Sequence, residues 1–245
     1  MRKINNNRFI KKVYIILLVM FFCLVSYKAL MQNFEAQSTY LEAKNCIIVI
    51  DPGHGASDAG AIGSYTKVLE KNINLAVALK LKKLFENAGA KVIMTRESDS
   101  PIAYSKDSDM YKRRLIIKNS NADLVISIHM NRFAGSSSVA GPQVYYCKGS
   151  EKGLKAAKYV QTQLNKTLAP AKKRKPAIGD YYILESGKSP CILVECGFLS
   201  NAREERLLQQ NSYQDKIASS IFSGVQQYFN EVPPTSKLLT NTANP

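Results

Sequence analysis

Cys46-Ile47-Ile48-Val49-Ile50-Asp51-Pro52-Gly53-His54-Gly55 is the stretch from which the fold is read. Five apolar residues in succession, four of them β-branched, mark a strand buried on both faces, as in a parallel sheet. Asp51-Pro52-Gly53 then stops the strand with turn chemistry and delivers His54 between two glycines. The chain has only two histidines. The other, His129, follows a second buried-strand run, Leu124-Val125-Ile126-Ser127-Ile128. In open α/β sheets, ligands bind beyond the carboxyl ends of strands. Both histidines are therefore expected to face one crevice and to share a metal ion.

Outward from this strand, apolar and polar periods alternate. Glu70 opens a helical pattern in which Ile73, Leu75, Ala76, Leu79, Leu84 and Phe85 recur, and Asn87 and Gly89 end it. Residues 91–95 form a second strand, 96–108 a polar loop, 110–119 a short helix and 124–128 the third strand. A loop rich in Gly and Ser leads to a strand at 143–147 and a helix at 151–168. Residues 191–194 are another buried strand, which meets Glu195 at its end. Asn201 can cap a helix near Ala202, where Glu204 and Glu205 suit the helix dipole. A last amphipathic helix covers 213–230. Strands alternating with helices imply one α/β domain over residues 46–230, with a mainly parallel sheet covered on both faces.

The N-terminus differs from the rest. Arg2, Lys3, Arg8, Lys11 and Lys12 precede thirteen residues, 13–25, without a charged or strongly polar group. That pattern is an export signal. A small-x-small cleavage site is hard to find, because Tyr27, Lys28, Leu30 and Met31 are the wrong size. With Lys28 snorkelling, residues 13–31 make a helix of about 28 Å, close to the bilayer core. Residues 1–31 are thus expected to be an uncleaved signal anchor in preference to a removed signal peptide. Residues 32–45 follow as a linker, and 231–245 form a flexible tail. The positive flank stays inside, so the domain should lie on the outer face of the membrane.

Charge and cysteine content narrow the partners. The formal charge is +15, from 34 basic and 19 acidic residues. Seven basic and two acidic residues fall within the first 45, leaving +10 on the remainder. Such a surface suits an acidic polymer or lipid. No aromatic-basic repeat or zinc-finger spacing appears, so nucleic acid is not expected as a partner. The five cysteines contain no CxxC pair and are odd in number, which argues against a disulfide framework. Cys46, Cys147 and Cys191 lie in or beside apolar strands and read as small buried hydrophobes. The basic run Lys172-Lys173-Arg174-Lys175 reads as a solvated loop, with contact to anionic wall polymer as the alternative.

His54, His129 and Glu195 sit at or past strand ends, and Glu70 sits at a helix start after the first loop. Two histidines and one carboxylate make a catalytic zinc set with a fourth position left for water. A second carboxylate is what such a site needs as general base. Spacing does not fix which glutamate does which job.

Five segments carry a resemblance. They are Ile48-Val49-Ile50-Asp51-Pro52-Gly53-His54-Gly55, Leu69-Glu70-Lys71-Asn72-Ile73-Asn74-Leu75, Thr95-Arg96, Ser127-Ile128-His129-Met130-Asn131 and Val194-Glu195-Cys196-Gly197-Phe198-Leu199-Ser200-Asn201. In this order the chain resembles the zinc-dependent N-acetylmuramoyl-L-alanine amidases that cut bacterial peptidoglycan, across residues 46–229. The resemblance implies a mixed α/β sheet with helices on both sides. It implies one zinc ion on His54, Glu70 and His129, with Glu195 as the catalytic glutamate. Glu195 would take the proton of water as general base and pass it to the leaving amine. Asp51 and Asn131 are expected to fix the loop or the ligands. Arg96 and Arg114 match basic positions of the family, for substrate binding or for a structural ion pair.

Ala56 replaces a glycine common after the His-Gly pair. Gln143 stands where many members carry a glutamate. Only 65 residues separate His129 from Glu195, too few for the inhibitory helix of some members. A signal anchor with a bare catalytic domain is most similar to the germination-specific amidases of spore-forming bacteria, whose peptide removal prepares muramic-δ-lactam in the cortex. A bare domain also suggests a protein partner that localises or activates it. The alternatives are a vegetative wall amidase, a non-catalytic peptidoglycan-binding protein on the same fold, or another metallohydrolase. HExxH is absent, as is G-x-S-x-G, which removes the commonest zinc-peptidase and serine-hydrolase patterns.

Overall fold

The computed structural model describes residues 6–40, 46–103 and 105–235. The chain divides into two units, Met1–Leu41 and Glu42–Pro245. Arg2 and Lys3, linker positions 41–45 and the tail beyond Thr235 lie outside the described residues.

The first unit is one helix, α1 (Asn6–Tyr40). Its segment Ile10–Lys28 has a mean hydropathy of 2.0 and is long and apolar enough to cross a membrane. Apolar side chains are exposed all round it, which no helix built for a soluble core would show. The helix continues to Tyr40, through most of the segment read as a polar linker. Glu35, Ala36 and Gln37 are good helix formers and explain the continuation.

The second unit is built on a six-stranded sheet: β1 (Ile47–Pro52), β2 (Lys91–Met94), β3 (Leu124–Asn131), β4 (Gln143–Tyr146), β5 (Ala177–Ile178) and β6 (Cys191–Phe198). Their order is β2-β1-β3-β6-β4-β5. β1 pairs in parallel with β2 and β3, and β3 in parallel with β6. β4 runs antiparallel to β6 and carries β5 parallel to itself at the edge. The sheet is therefore mixed, with four parallel strands forming its body.

Strand alternation sends successive side chains to opposite faces. Ile48, Ile50, Ile126, Ile128, Ile192 and Val194 go to one face. There they pack under α2 (Glu70–Asn87), α4 (Glu151–Leu168) and α6 (Asn211–Glu231). Val49, Val125, Cys191 and Leu193 go to the other face. They meet Ile117 of α3 (Lys106–Asn119) and Ile183 and Leu184 of a 3-10 turn, Tyr182–Glu185. Along this second face the next positions outward are Asp51, Ser127, His129 and Glu195. Apolar packing at the amino ends of the strands thus gives way to a polar patch at their carboxyl ends. The first core fixes the strands, and the same strands aim the polar side chains.

Three boundaries differ from the sequence reading. β3 continues through His129 to Asn131, and β6 through Glu195 to Phe198, so both residues are inside strands and not beyond them. Their mutual pairing, His129 opposite Glu195, sustains both strands past the apolar runs. α3 starts at Lys106, inside the segment read as a loop. Ser105 caps it, accepting from the Ser108 amide while the Ser108 side chain bonds back. The two-residue β5 has too little sequence to leave a periodic signal. The cap read at Asn201 starts α5 (Ala202–Leu208), where its side chain accepts from the amides of Arg203 and Glu204.

Candidate metal centre and catalytic cleft

At the end of β1 the backbone is held from below. The Gly53 amide donates to the Ile128 carbonyl at 3.0 Å. Arg113 donates to Asp51 Oδ1 (2.8 Å), to the Pro52 carbonyl (2.7 Å) and to the His54 carbonyl (2.7 Å). Arg96 donates to the carbonyls of Pro52 (2.9 Å), Gly53 (3.0 Å) and Lys71 (2.9 Å). Two buried guanidinium groups therefore fix the loop that carries His54. They also stabilise His54 at a φ of 61°, a left-handed conformation uncommon for a residue with a side chain. Gly53 is required here: a Cβ on it would lie 2.1 Å from the His129 ring.

His54, Glu70 and His129 converge. His54 Nε2 is 3.3 Å from Glu70 Oε2, and His129 Nδ1 is 3.0 Å from Glu70 Oε1. One ligand atom from each of the three lies within 4.8 Å of the others. Ligands around a tetrahedral zinc at about 2.0–2.1 Å stand roughly 3.3 Å apart, so these spacings and this donor set fit the ion. His54 Nδ1 contacts Asp58 Oδ2 at 2.9 Å. Asp58 thus accepts the Nδ1 proton, which leaves Nε2 as the nitrogen that would give up its proton to become a ligand.

Glu70 is the first residue of α2, where a carboxylate suits the helix dipole. It also accepts from the amides of Ala61 (2.7 Å) and Met130 (3.1 Å) and from Asn74 Nδ2 (3.2 Å). Burial alone would push its carboxyl up. Hydrogen bonds from His129 and His54 outweigh that and hold it well below the ordinary carboxylate range. Burial pushes the His54 imidazole down, but Glu70 and Asp58 more than offset it and raise it.

Glu195 stands apart from this trio. It is buried, and its Oε2 has no hydrogen-bond partner. Burial lifts its carboxyl to about 7, with His129 opposing the rise and Glu70 adding to it. It lines a cavity of about 440 Å³ together with His54, Glu70, His129 and Asn131. An acid poised near neutrality beside a cluster of potential ligands can exchange a proton in either direction.

The other expected residues are placed as follows. Asp51 lies beneath the loop and accepts hydrogen bonds from Arg113, Thr95 (2.6 Å) and Ser127 (2.7 Å). Asn131 lines the cavity, and its carbonyl accepts from the Leu199 amide. Arg96 spends its donors on backbone carbonyls. Arg114 is outside the trio and lies over the Tyr182 ring, 4.9 Å from its centroid. Gln143 pairs in register with Glu195 but donates to the Lys175 carbonyl at 2.6 Å. Cys196 points to the opposite face, in the core under α2 and α6. In the basic run, Arg174 folds over Phe198 and donates to the Ala140 carbonyl, while Lys172, Lys173 and Lys175 are exposed.

Sequence reasoning missed Arg113, Asp58 and Asn74. Arg113 has one local signal, the i,i+4 partner Asp109, whose Oδ2 it meets at 2.6 Å. Asp58 stands four residues after His54 in the same loop. Asn74 lies one helical turn after Glu70 and bridges it to the Gly53 carbonyl.

Comparison with known proteins shows the family. The family model described as N-acetylmuramoyl-L-alanine amidase matches residues 48–227. The germination-specific N-acetylmuramoyl-L-alanine amidase of Bacillus subtilis is 41% identical over 193 residues, covering 76% of this chain and 80% of that protein. The probable cell wall amidase LytH of Staphylococcus epidermidis is 33% identical over 187 residues, covering 76% of this chain and 59% of LytH. Among solved structures, the CwlD amidase of Clostridioides difficile in complex with the GerS lipoprotein superposes with a TM-score of 0.73 at 37% identity, covering 76% of this chain and all of that one. Topology and matched length agree, and this chain belongs to the N-acetylmuramoyl-L-alanine amidase family of peptidoglycan hydrolases.

Proposed function

We propose that the chain is a zinc-dependent amidase that acts outside the cytoplasm on spore-cortex peptidoglycan. In that role it frees the lactyl group of muramic acid from L-alanine before muramic-δ-lactam forms. The observation that carries the zinc reading is the convergence of His54, Glu70 and His129 beside the unpartnered, buried Glu195. Those three residues would hold one ion per chain. When bound, zinc supplies Lewis acidity, making water nucleophilic near neutral pH and polarising the amide carbonyl.

The protein's own groups do the rest. Ionised Glu195 accepts a proton from the attacking water, so that a C–O bond forms at the lactyl carbonyl. Glu195 then returns that proton to the alanine nitrogen, and the C–N bond breaks to give a free carboxyl group and a free amine. Asp58 holds the tautomer of His54. Arg113 and Arg96 keep the loop from moving as charge develops, because their donors are already committed to its carbonyls.

The spore role rests on similarity to the B. subtilis germination-specific protein. Similarity to LytH supports a second reading, a vegetative wall amidase. The apolar helix α1 is compatible with an uncleaved anchor that leaves the domain on the outer face. The CwlD structure contains the GerS lipoprotein, which supports a lipoprotein-type activating or localising partner for this chain as well. The test is digestion of purified muropeptides followed by mass spectrometry. Release of intact stem peptide supports the amidase; products cut only within the peptide would sink it.

A further inference from the structure

The cleft extends beyond the ligand trio and Glu195 to a wall of different chemistry. Tyr181, Tyr182, Ile183, Met110 and Pro101 line it there. Tyr182 is 48% exposed although it lies in a cavity wall. Its position is nevertheless fixed. The next two residues of its 3-10 turn, Ile183 and Leu184, are buried in the second core. Its neighbour Tyr181 packs edge-on against Tyr145, with ring centroids 5.2 Å apart. Arg114 of α3 covers one face of the Tyr182 ring at 4.9 Å, and Arg114 does not line the cavity. One face of the ring is thus taken by a cation that is not itself part of the cavity wall.

We infer that Tyr182, braced by Arg114, is a stacking platform for a neutral N-acetylated hexose ring of the glycan strand. The inference rests on the amidase reading and extends it to which half of the substrate lies where. A pyranose presents a flat C–H face, positively polarised at its edge, to the negative face of an aromatic ring, and an N-acetyl methyl suits an apolar wall. The glycan side of the scissile amide is neutral, whereas a stem peptide carries carboxylates. Lys106, whose Nζ is 3.5 Å from Asp58 Oδ2, and Arg132 also line the cavity and suit those carboxylates. The proposal thus assigns the sugar to the tyrosine wall and the peptide carboxylates to the basic side chains. Arg114 is then a positioning residue that acts through Tyr182 and does not itself touch substrate.

The test compares the full-length chain with its Tyr182→Ala, Tyr182→Phe and Arg114→Met variants by two measurements. The first is binding of N-acetylglucosamine trimer, followed by NMR and needing no turnover. Tyr182→Ala should weaken it about tenfold, as loss of one aromatic stacking contact predicts. Tyr182→Phe should retain it, and Arg114→Met should weaken it in part. The second is steady-state hydrolysis of a muramyl peptide and of a lactyl peptide without sugar. Tyr182→Ala should raise KM for the first only, with kcat unchanged. Equal KM on both substrates in all variants, or a Tyr182 effect on stem-peptide binding in place of trimer binding, would overturn the platform. Absence of peptide release by the unsubstituted zinc-loaded chain, with trimer binding still dependent on Tyr182, would overturn the amidase reading and leave the platform standing.

Discussion

His129 and Glu195 are register partners on the adjacent parallel strands β3 and β6. Partners in a parallel ladder point to the same face and lie about one strand spacing apart, near 4.8 Å. A candidate ligand and the candidate proton carrier are therefore set side by side by backbone hydrogen bonds, not by a loop. Sites held on strands keep their geometry more tightly than sites on loops. The third partner, His54, does come from a loop, and that loop is the one tied down by Arg96 and Arg113.

Glu195 should lower the stability of the metal-free protein. Its carboxyl is raised to about 7 by burial. A raised carboxyl carries no penalty below its unfolded value. The penalty grows as pH climbs toward 7 and is constant above it. Glu195→Gln removes the charge, so the metal-free variant should be more stable at pH 8, by on the order of 3 kcal/mol, and equal to the parent near pH 4.5. Urea unfolding after chelation at the two pH values measures this, and a variant less stable at pH 8 would contradict it.

Asp58 should act through His54. Replacing it with Ala removes the acceptor that fixes the ring, contacted at 2.9 Å. Loss of such a partner weakens metal affinity by about 10–100-fold. Competition with a chromophoric chelator reads this without any substrate. Unchanged affinity would leave Asp58 as a loop residue only.

Arg113→Ala should be severe. It leaves the buried Asp51 carboxylate with Thr95 and Ser127 but no counter-charge, a change that costs about 3–5 kcal/mol. Its pH signature is also specific. Burial raises the Asp51 carboxyl, but Arg113 and the hydroxyl donors outweigh it and hold it low. The stabilisation is thus present above the ordinary carboxylate value and is lost as pH falls through the lower folded one. The parent should lose stability in acid, below about pH 4, more steeply than the variant. Unfolding curves at pH 7 and pH 3 check both statements.

Zinc binding should expel protons. His54 and Glu195 both hold protons more tightly than usual in the metal-free cluster. A cation placed among them drives those protons off. Release should be larger at pH 6 than at pH 8, where Glu195 is already ionised. Calorimetric titrations in buffers of different ionisation enthalpy count the protons; equal release at both values would contradict the assignment.

Much of this was legible in the chain itself. The apolar runs before His54 and His129 marked β1 and β3, and a mainly parallel sheet followed from the alternation of strands with helices. Less legible were the groups whose partners are distant in sequence. Arg113 and Arg114 are neighbours on α3 and point about 100° apart. Only the packed fold decides that Arg113 turns inward to the loop of β1 and Arg114 outward to Tyr182. Asp51 is read as fixing the loop or the ligands; strand alternation turns it under the sheet end, where it binds Thr95, Ser127 and the loop-holding Arg113. The length of β3 and β6 past their apolar runs comes from pairing between them, which local composition does not record.

A division of labour is expected between the trio, which would hold the ion, and Glu195, which would move the proton. Zinc content and turnover of Glu195→Gln, measured on the same sample beside Glu70→Gln, test it most directly. Glu195→Gln is expected to keep one zinc per chain and to lose at least about 10²-fold in muropeptide turnover. Glu70→Gln is expected to lose zinc. Loss of zinc from Glu195→Gln, with retention in Glu70→Gln, would reverse the two roles and contradict the account.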